Sequence, residues 1–177
     1  NLVEVTLSTK DRICSKLLVG ADGANSSIRE QFSFGIKSEQ YDQSCLVANA
    51  NVVNNSQNIT WQRFTPTGPQ AYLPLNDTTG SIVWYDSAEK VQSYIGLSNE
   101  DLSEKVMCEF PREIGKVTIK NKASFPIFKR HVEKYVVDNV TLVGDSAHVI
   151  NPLAGQGVNL GFQDAECLAR ILNAARD

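Results

Sequence analysis

The sequence predicts a mixed α/β protein, with strand–turn–helix units at its two ends and an antiparallel sheet of α+β character between them. Two observations predict this division. Near each end a short apolar strand runs straight into a glycine turn and a helix start, at Leu17-Leu18-Val19-Gly20 and at Thr141-Leu142-Val143-Gly144. Between them, from about residue 38, strand-like segments are separated by turn compositions, as in sequential antiparallel strands rather than βαβ units. Three segments follow: residues 1–37, 38–130 and 131–177.

The elements can be justified in order. Residues 3–7 alternate, residues 8–11 are polar, and residues 12–15 pair back as a hairpin. Lys16-Leu17-Leu18-Val19 reads as a buried strand. It leads into Gly20-Ala21-Asp22-Gly23-Ala24-Asn25-Ser26-Ser27-Ile28-Arg29. There Asp-Gly marks a tight turn, and Ser26 or Ser27 caps a short helix through about Phe32. In the middle segment Leu46, Ala48, Ala50 and Val52 form the inner face of a half-buried strand, and residues 54–58 form a turn. Residues 60–65, 70–75 and 81–85 are three further strands, separated by Pro66-Thr67-Gly68-Pro69 and Asn76-Asp77-Thr78-Thr79-Gly80. Ser98 caps a helix to about Phe110, with Glu100 and Asp101 in its first turn. Leu102, Val106 and Phe110 share its inner face, and Pro111 stops it. Residues 117–119 and 123–128 are strands again, and Pro126 marks the latter as an edge.

Composition excludes several classes of function. An apolar content of 42% and a charged content of 21% are those of a soluble globular chain. Lys and Arg number 17 against 20 Asp and Glu, a net charge of −3 that carries no footprint of a nucleic-acid partner. No apolar run approaches the roughly 20 residues needed to span a bilayer. Cys14, Cys45, Cys108 and Cys167 are scattered without a C-x-x-C pair, which leaves no metal site and points to reduced, buried thiols in a cytosolic setting. There is no signal peptide, and Asn1-Leu2-Val3-Glu4 begins in mid-pattern, as in a piece of a longer chain.

Most of the chemistry gathers after the last strand, in Gly144-Asp145-Ser146-Ala147-His148-Val149-Ile150-Asn151-Pro152-Leu153-Ala154-Gly155-Gln156-Gly157-Val158-Asn159-Leu160-Gly161. Pro152 holds Asn151 extended, so no helix runs through that point. Gly155 and Gly157 bare the backbone ahead of a helix whose apolar face is Val158, Phe162, Ala165, Ala169 and Leu172. The first amides of a helix are unpaired and carry partial positive charge, a seat for an electron-rich group. The spacing is not the Gly-x-Gly-x-x-Gly dinucleotide fingerprint directly after a strand, and the chain has none. His148 beside Asp145 reads as a structural hydrogen-bonder rather than a general base. Trp61, Phe64, Tyr72, Trp84, Tyr85, Phe125 and Phe128 concentrate in the middle segment, as a sheet core with cross-strand pairs. Some of them are placed to floor an apolar cavity for an aromatic substrate.

This long stretch resembles the second flavin motif of the flavin-dependent aromatic hydroxylases, where Gly-Asp-Ala-Ala-His is followed by Pro and a Gly-x-Gly helix start. Ser146 replaces the first Ala of that motif. Asp22, Gly23 and Arg29 fit the family's Asp-Gly motif. The run Thr60-Trp61-Gln62-Arg63-Phe64-Thr65-Pro66-Thr67-Gly68-Pro69-Gln70-Ala71-Tyr72-Leu73-Pro74-Leu75, with Val83-Trp84-Tyr85-Asp86, is similar to the ubiquinone-biosynthesis branch.

The resemblance implies part of an FAD/NAD(P)-binding Rossmann-like domain plus an antiparallel-sheet substrate domain, the para-hydroxybenzoate-hydroxylase-like fold. It implies an internal fragment of an enzyme about twice as long. The implied reaction is hydroxylation of a polyprenyl phenol or benzoquinol ring, with NAD(P)H and O2 as co-substrates, through a flavin hydroperoxide. Asp22, Gly23 and Arg29 would lie near the FAD diphosphate and the nicotinamide. Gly144 and Asp145 would meet the ribityl chain, and Gly155, Gln156 and Gly157 the flavin pyrimidine edge. Pro152 would wall the cavity and Asn159 hold the ring edge. Trp61, Phe64 and Tyr72 are the substrate candidates. The implied setting is cytoplasmic, with contact to the inner-membrane surface or to a ubiquinone-biosynthesis complex; the isolated piece is expected to be inactive and to self-associate. Other expectations stay open: an epoxidase, halogenase or prenyl reductase of the same fold, or a non-catalytic partner-binding module.

Overall fold

The structure is a computed structural model that describes residues 2–53, 59–151 and 155–175. In chain order the elements are β1 (Val3–Thr6), β2 (Arg12–Ser15), β3 (Leu18–Gly20), α1 (Ser27–Gln31), β4 (Ile36–Val53), β5 (Trp61–Thr65), β6 (Gly68–Pro74) and β7 (Thr79–Asp86). Then come α2 (Ala88–Gly96), α3 (Asn99–Glu109), β8 (Lys116–Val132), β9 (Val136–Val137), β10 (Val140–Leu142), β11 (His148–Val149) and α4 (Gly157–Ala174). The chain divides into two compact units, residues 1–39 with 128–177, and residues 40–127.

In the second unit the strand order is β8-β4-β7-β6-β5. The antiparallel meander β5-β6-β7 forms as the turn compositions predict. β4 does not continue that meander. It pairs antiparallel with β7, from Ser44↔Asp86 to Asn51↔Thr79. The register puts Leu46, Ala48, Ala50 and Val52 on one face with Ile82 and Trp84, and that face is the core. Expected strands 117–119 and 123–128 are one strand, β8, and β11 pairs with it only at Arg130 and His131. The stretch with Pro126, which has no amide hydrogen to donate, is left outside that pairing. The expected turn at residues 54–58 lies outside the described residues.

Two helices cover this core. Ser98 Oγ accepts from Asp101 N–H (3.0 Å) to start α3, which buries Leu102 and Val106, and Phe110 ends it in the core. α2 is an addition to the sequence expectation. Ser87 caps it through Lys90 N–H, and Val91 and Tyr94 are its buried residues. The cap followed by apolar residues at helical spacing was the available signal, hidden in a short segment. Tyr94 stacks on Trp84 with ring centroids 4.6 Å apart, and Phe110 meets Trp84 edge-on at 5.2 Å.

The first unit contains the hairpin β1-β2 and the sheet β3-β10-β9, in which β3 and β10 are parallel. Its core is Val3, Phe34, Val132, Val140, Leu142 and Ala147. β3 was expected to be buried, but it is an edge strand and Val19 is 40% exposed. The cysteine expectation also needs correction. All four are free, but only Cys45 is buried; Cys14, Cys108 and Cys167 are exposed, on β2, α3 and α4. α4 forms where the periodicity places it, yet it buries none of its residues, and Phe162 is 70% exposed.

Candidate functional site

The site is built where β10 ends. β10 is fully buried, and Val143 N–H donates to Gly20 O (3.0 Å), carrying the pairing with β3 one residue further. Gly144 then takes φ +60°, a conformation that L side chains rarely adopt, and the chain turns through Ser146. The Ser146 hydroxyl lies 2.6 Å from both Gly20 O and Val143 O, so it ties the turn to β3. Size alone had suggested that Ser for Ala mattered little here; the hydroxyl adds one donor, shared between two strand-end carbonyls.

The same turn is fastened to α4. Gly144 N–H donates to Asp164 Oδ2 (2.8 Å), and the buried His148 places Nε2 2.7 Å from that oxygen. A Cβ on Gly161 would stand 3.4 Å from Gly144 Cα, so two glycines let helix and turn approach closely. Asp164 and Gly161 were missed in the sequence; their signal was three-residue spacing on a helix facing the glycine turn.

The start of α4 is open. Its N-cap, Gln156, makes no side-chain cap, and the first turn has no acidic residue. Leu160 N–H is bonded to Gln156 O, while the amides before it have no intrahelical acceptor. Gly155 has φ +62°, and a Cβ on Gly155 or Gly157 would meet nothing within 4 Å. Asp145 and Asn159 are exposed beside this opening. These features fit a planar, electron-rich group: amides without an intrahelical acceptor, a helix dipole and unobstructed backbone. Pro152 lies outside the described residues.

The Asp-Gly segment is organised around α1. Asp22 Oδ2 accepts from Ser27 N–H (2.8 Å), Ser27 Oγ (3.2 Å) and Ile28 N–H (3.2 Å). Burial acts to raise its pKa, but hydrogen bonds led by those from Ser26 and Ile28 outweigh it and hold the carboxyl below its ordinary value. Arg29, 7% exposed, donates from Nη1 to Ser146 O (3.0 Å) and from Nη2 to Ala24 O (2.9 Å). It therefore joins the Asp-Gly loop to the Gly144 turn. Arg130 Nη1 donates to the same Ala24 O (2.6 Å). Burial and the neighbouring Arg130 charge draw the Arg29 pKa down. Asn25, Arg29, Ser33, Gly35, Ser38 and Arg130 line a cavity of about 400 Å³. Gly23 borders this loop, with nothing within 4 Å of its Cβ position.

The three aromatic candidates do not share a surface. Trp61 and Tyr72 are cross-strand partners with ring centroids 6.4 Å apart, Tyr72 in the core and Trp61 packed on it. Phe64 is 75% exposed, three residues along β5 and on its other face.

Parallel strands ending in glycine turns, each followed by a helix, with an open amide cluster at one of them, define a nucleotide-cofactor-binding architecture. The chain belongs to the FAD binding domain family, which it matches over residues 1–176. It is 42% identical over 176 residues to 3-demethoxyubiquinol 3-hydroxylase of Escherichia coli (strain K12), covering 99% of this chain and 45% of that protein. It is 36% identical over 210 residues to the mitochondrial ubiquinone biosynthesis monooxygenase COQ6 of Xenopus tropicalis, covering 98% of this chain and 45% of that one. The chain thus spans about 45% of the length of these curated relatives. Its fold is also that of PqsL, a probable FAD-dependent monooxygenase from Pseudomonas aeruginosa: TM-score 0.83, 23% identity, over 98% of this chain and 50% of that one.

Proposed function

We propose that this chain is the flavin-edge and substrate part of an FAD-dependent monooxygenase that hydroxylates a polyprenyl benzoquinol ring in ubiquinone biosynthesis. The observation that carries the proposal is the uncapped α4 start, with Gly155 and Gly157 open above it, beside the Gly144 turn. The 42% identity to the Escherichia coli hydroxylase supports the substrate class. FAD, when bound, supplies the redox and oxygen chemistry, with NAD(P)H and O2 as co-substrates. The chain's own residues hold and orient it. Exposed Asp145 would accept a hydrogen bond from the ribityl chain beyond Gly144. The amides at Gly155, Gln156 and Gly157 would face the pyrimidine edge, with Asn159 beside them. Helix-dipole stabilisation of negative charge there is worth about 0.3–1 kcal/mol, more when buried. Asp22, Gly23 and Arg29 serve the diphosphate end, Asp22 by shaping α1 and Arg29 as a fixed cation. Of the three aromatic candidates in the second unit, exposed Phe64 is the one open to a substrate, while Tyr72 belongs to the core and Trp61 packs on it.

No helix among the described residues is long and apolar enough to cross a membrane. A polyprenyl substrate would bring the protein into contact with the membrane surface or with partner enzymes of the same pathway. The isolated chain self-associates through exposed apolar side chains such as Phe162 and Val158.

The test uses the full-length protein. It should purify with a flavin spectrum and, with NAD(P)H and a short-chain polyprenyl methoxy-methyl-benzoquinol, yield a product carrying one added oxygen. Asp145→Ala should lower FAD content. A colourless wild-type protein that ignores the quinol would overturn the proposal.

A further inference from the structure

We propose that His148 is a positioning residue for the flavin site: through Asp164 it locks α4 to the Gly144 turn, and FAD affinity depends on that lock. This rests on the FAD reading above. The geometry is specific. Asp164 Oδ2 receives two donors from one side, Gly144 N–H at 2.8 Å and His148 Nε2 at 2.7 Å. A carboxylate oxygen accepting the Gly144 amide fixes the imidazole tautomer, with the proton on Nε2. Asp164 lies two turns into α4, on the face that brings Gly161 against Gly144. The carboxylate thus ties α4 to the Gly144 turn two helical turns along from the open amides, and so sets where the whole helix sits against that turn.

His148 is 6% exposed, and its Nδ1 is buried with no hydrogen-bond partner among the described residues. A buried polar atom without a partner is costly. The chain tolerates that cost at Nδ1 and keeps the contact at Nε2, which marks Nε2 as the atom in use. Packing holds the ring in place. The His131 ring lies 6.5 Å away at 25°, and the Tyr135 ring 6.1 Å away. Tyr135 OH and His131 Nε2 are 3.3 Å apart, and His131 Nδ1 is 2.7 Å from Val132 O, so the flanking groups have partners of their own. Of this stack, His148 is the ring that hydrogen-bonds Asp164, while Tyr135 feels its charge without a hydrogen bond to it among the described residues.

The experiment exploits the two ring nitrogens. In the full-length protein, His148→Gln keeps a donor near the Nε2 position, whereas His148→Asn keeps one only near Nδ1. Gln also fills more of the ring's space than Asn, so Asp164→Asn and the double variant are the arms that separate the hydrogen bond from packing. FAD affinity is measured by fluorescence quenching on apoprotein, with wild type first. Wild type that binds no FAD removes the flavin reading itself. If wild type binds, His148→Asn should weaken FAD by about tenfold or more, the scale of a lost hydrogen bond to a charged group, and His148→Gln should recover most of it. Asp164→Asn, near-isosteric, should weaken FAD comparably, and the double variant His148→Asn/Asp164→Asn should be no worse than the poorer single one. His148→Asn binding FAD like wild type, Gln and Asn equally weak, or additive losses in the double variant would each overturn the proposal. An unfolded His148→Asn whose Asp164→Asn counterpart folds and binds normally would do the same.

Discussion

Helices α3 and α4 carry similar apolar patterns and end up in opposite situations. α3 buries Leu102 and Val106, with Phe110 at its end, in the core of the second unit. α4 has Val158, Phe162 and Leu172 at equivalent helical spacing, and buries no residue. The caps differ in the same sense: Ser98 closes the start of α3, and Gln156 leaves the start of α4 open. Periodicity therefore specifies that a helix forms and which face is apolar, but not what that face meets. An open N-terminus is a feature of α4 that stability of the chain alone does not demand.

The largest expected effect contrasts the two faces directly. In this chain Leu102→Ala should lose about 2–5 kcal/mol in urea unfolding, since it removes atoms from a fully buried site. Phe162→Ala should stay within about 0.5 kcal/mol. Equal losses would break the comparison.

Alkali should act on the packed unit next. Burial pushes the Cys45 thiol from 9.0 up to about 12. Burial, then the Asp86 charge, pushes Tyr94 from 10.0 up to about 12. Both protons are held more tightly in the folded chain than in the unfolded one. The stability they confer is complete below pH 9 and is lost as pH rises towards 12, at up to about 1.4 kcal/mol per pH unit for each group. Urea midpoints at pH 8, 10 and 11 should fall in turn, and Cys45→Ala should fall less steeply. A parallel decline in both proteins would show that the thiol does not contribute.

Smaller effects come from the caps. Ser98→Ala should cost about 1 kcal/mol by removing the acceptor for Asp101 N–H. Gln156→Asp should work the other way, raising the melting temperature of the chain through a gain of about 0.3–1 kcal/mol. In the full-length protein the same carboxylate should weaken FAD binding by occupying the open amides. Stabilisation without any loss of FAD affinity would argue against the flavin-edge role of α4. Last, Ser146→Ala should cost about 1 kcal/mol by removing the one hydroxyl proton shared between the carbonyls of Gly20 and Val143.

Much of this site was legible as a string because its parts are local. Gly144-Asp145, Gly155-Gln156-Gly157 and Asp22-Gly23 are turn chemistry, readable from residue type alone. Ser26 and Ser98 cap the helices that follow them, by bonds three residues long. Arg29 was legible as a cation, but not as the strut that spans from Ala24 O to Ser146 O, because that contact crosses 117 residues. Asp164 was invisible for the same reason: its partners, Gly144 and His148, lie 20 and 16 residues away. Short α2 escaped notice because a nine-residue helix offers little more than one repeat of its pattern.

Sequence by itself determined the family, the starts of α1, α3 and α4 and the turns between β5, β6 and β7, since each depends on residues that are neighbours along the chain. Tertiary structure alone decided that β4 lies beside β7, that Tyr72 and Phe64 part company across β5, and that a histidine–aspartate pair fastens α4 to the Gly144 turn. Those outcomes depend on which apolar faces and unpaired polar atoms find one another in space, and the separation of two residues along a chain does not encode that distance.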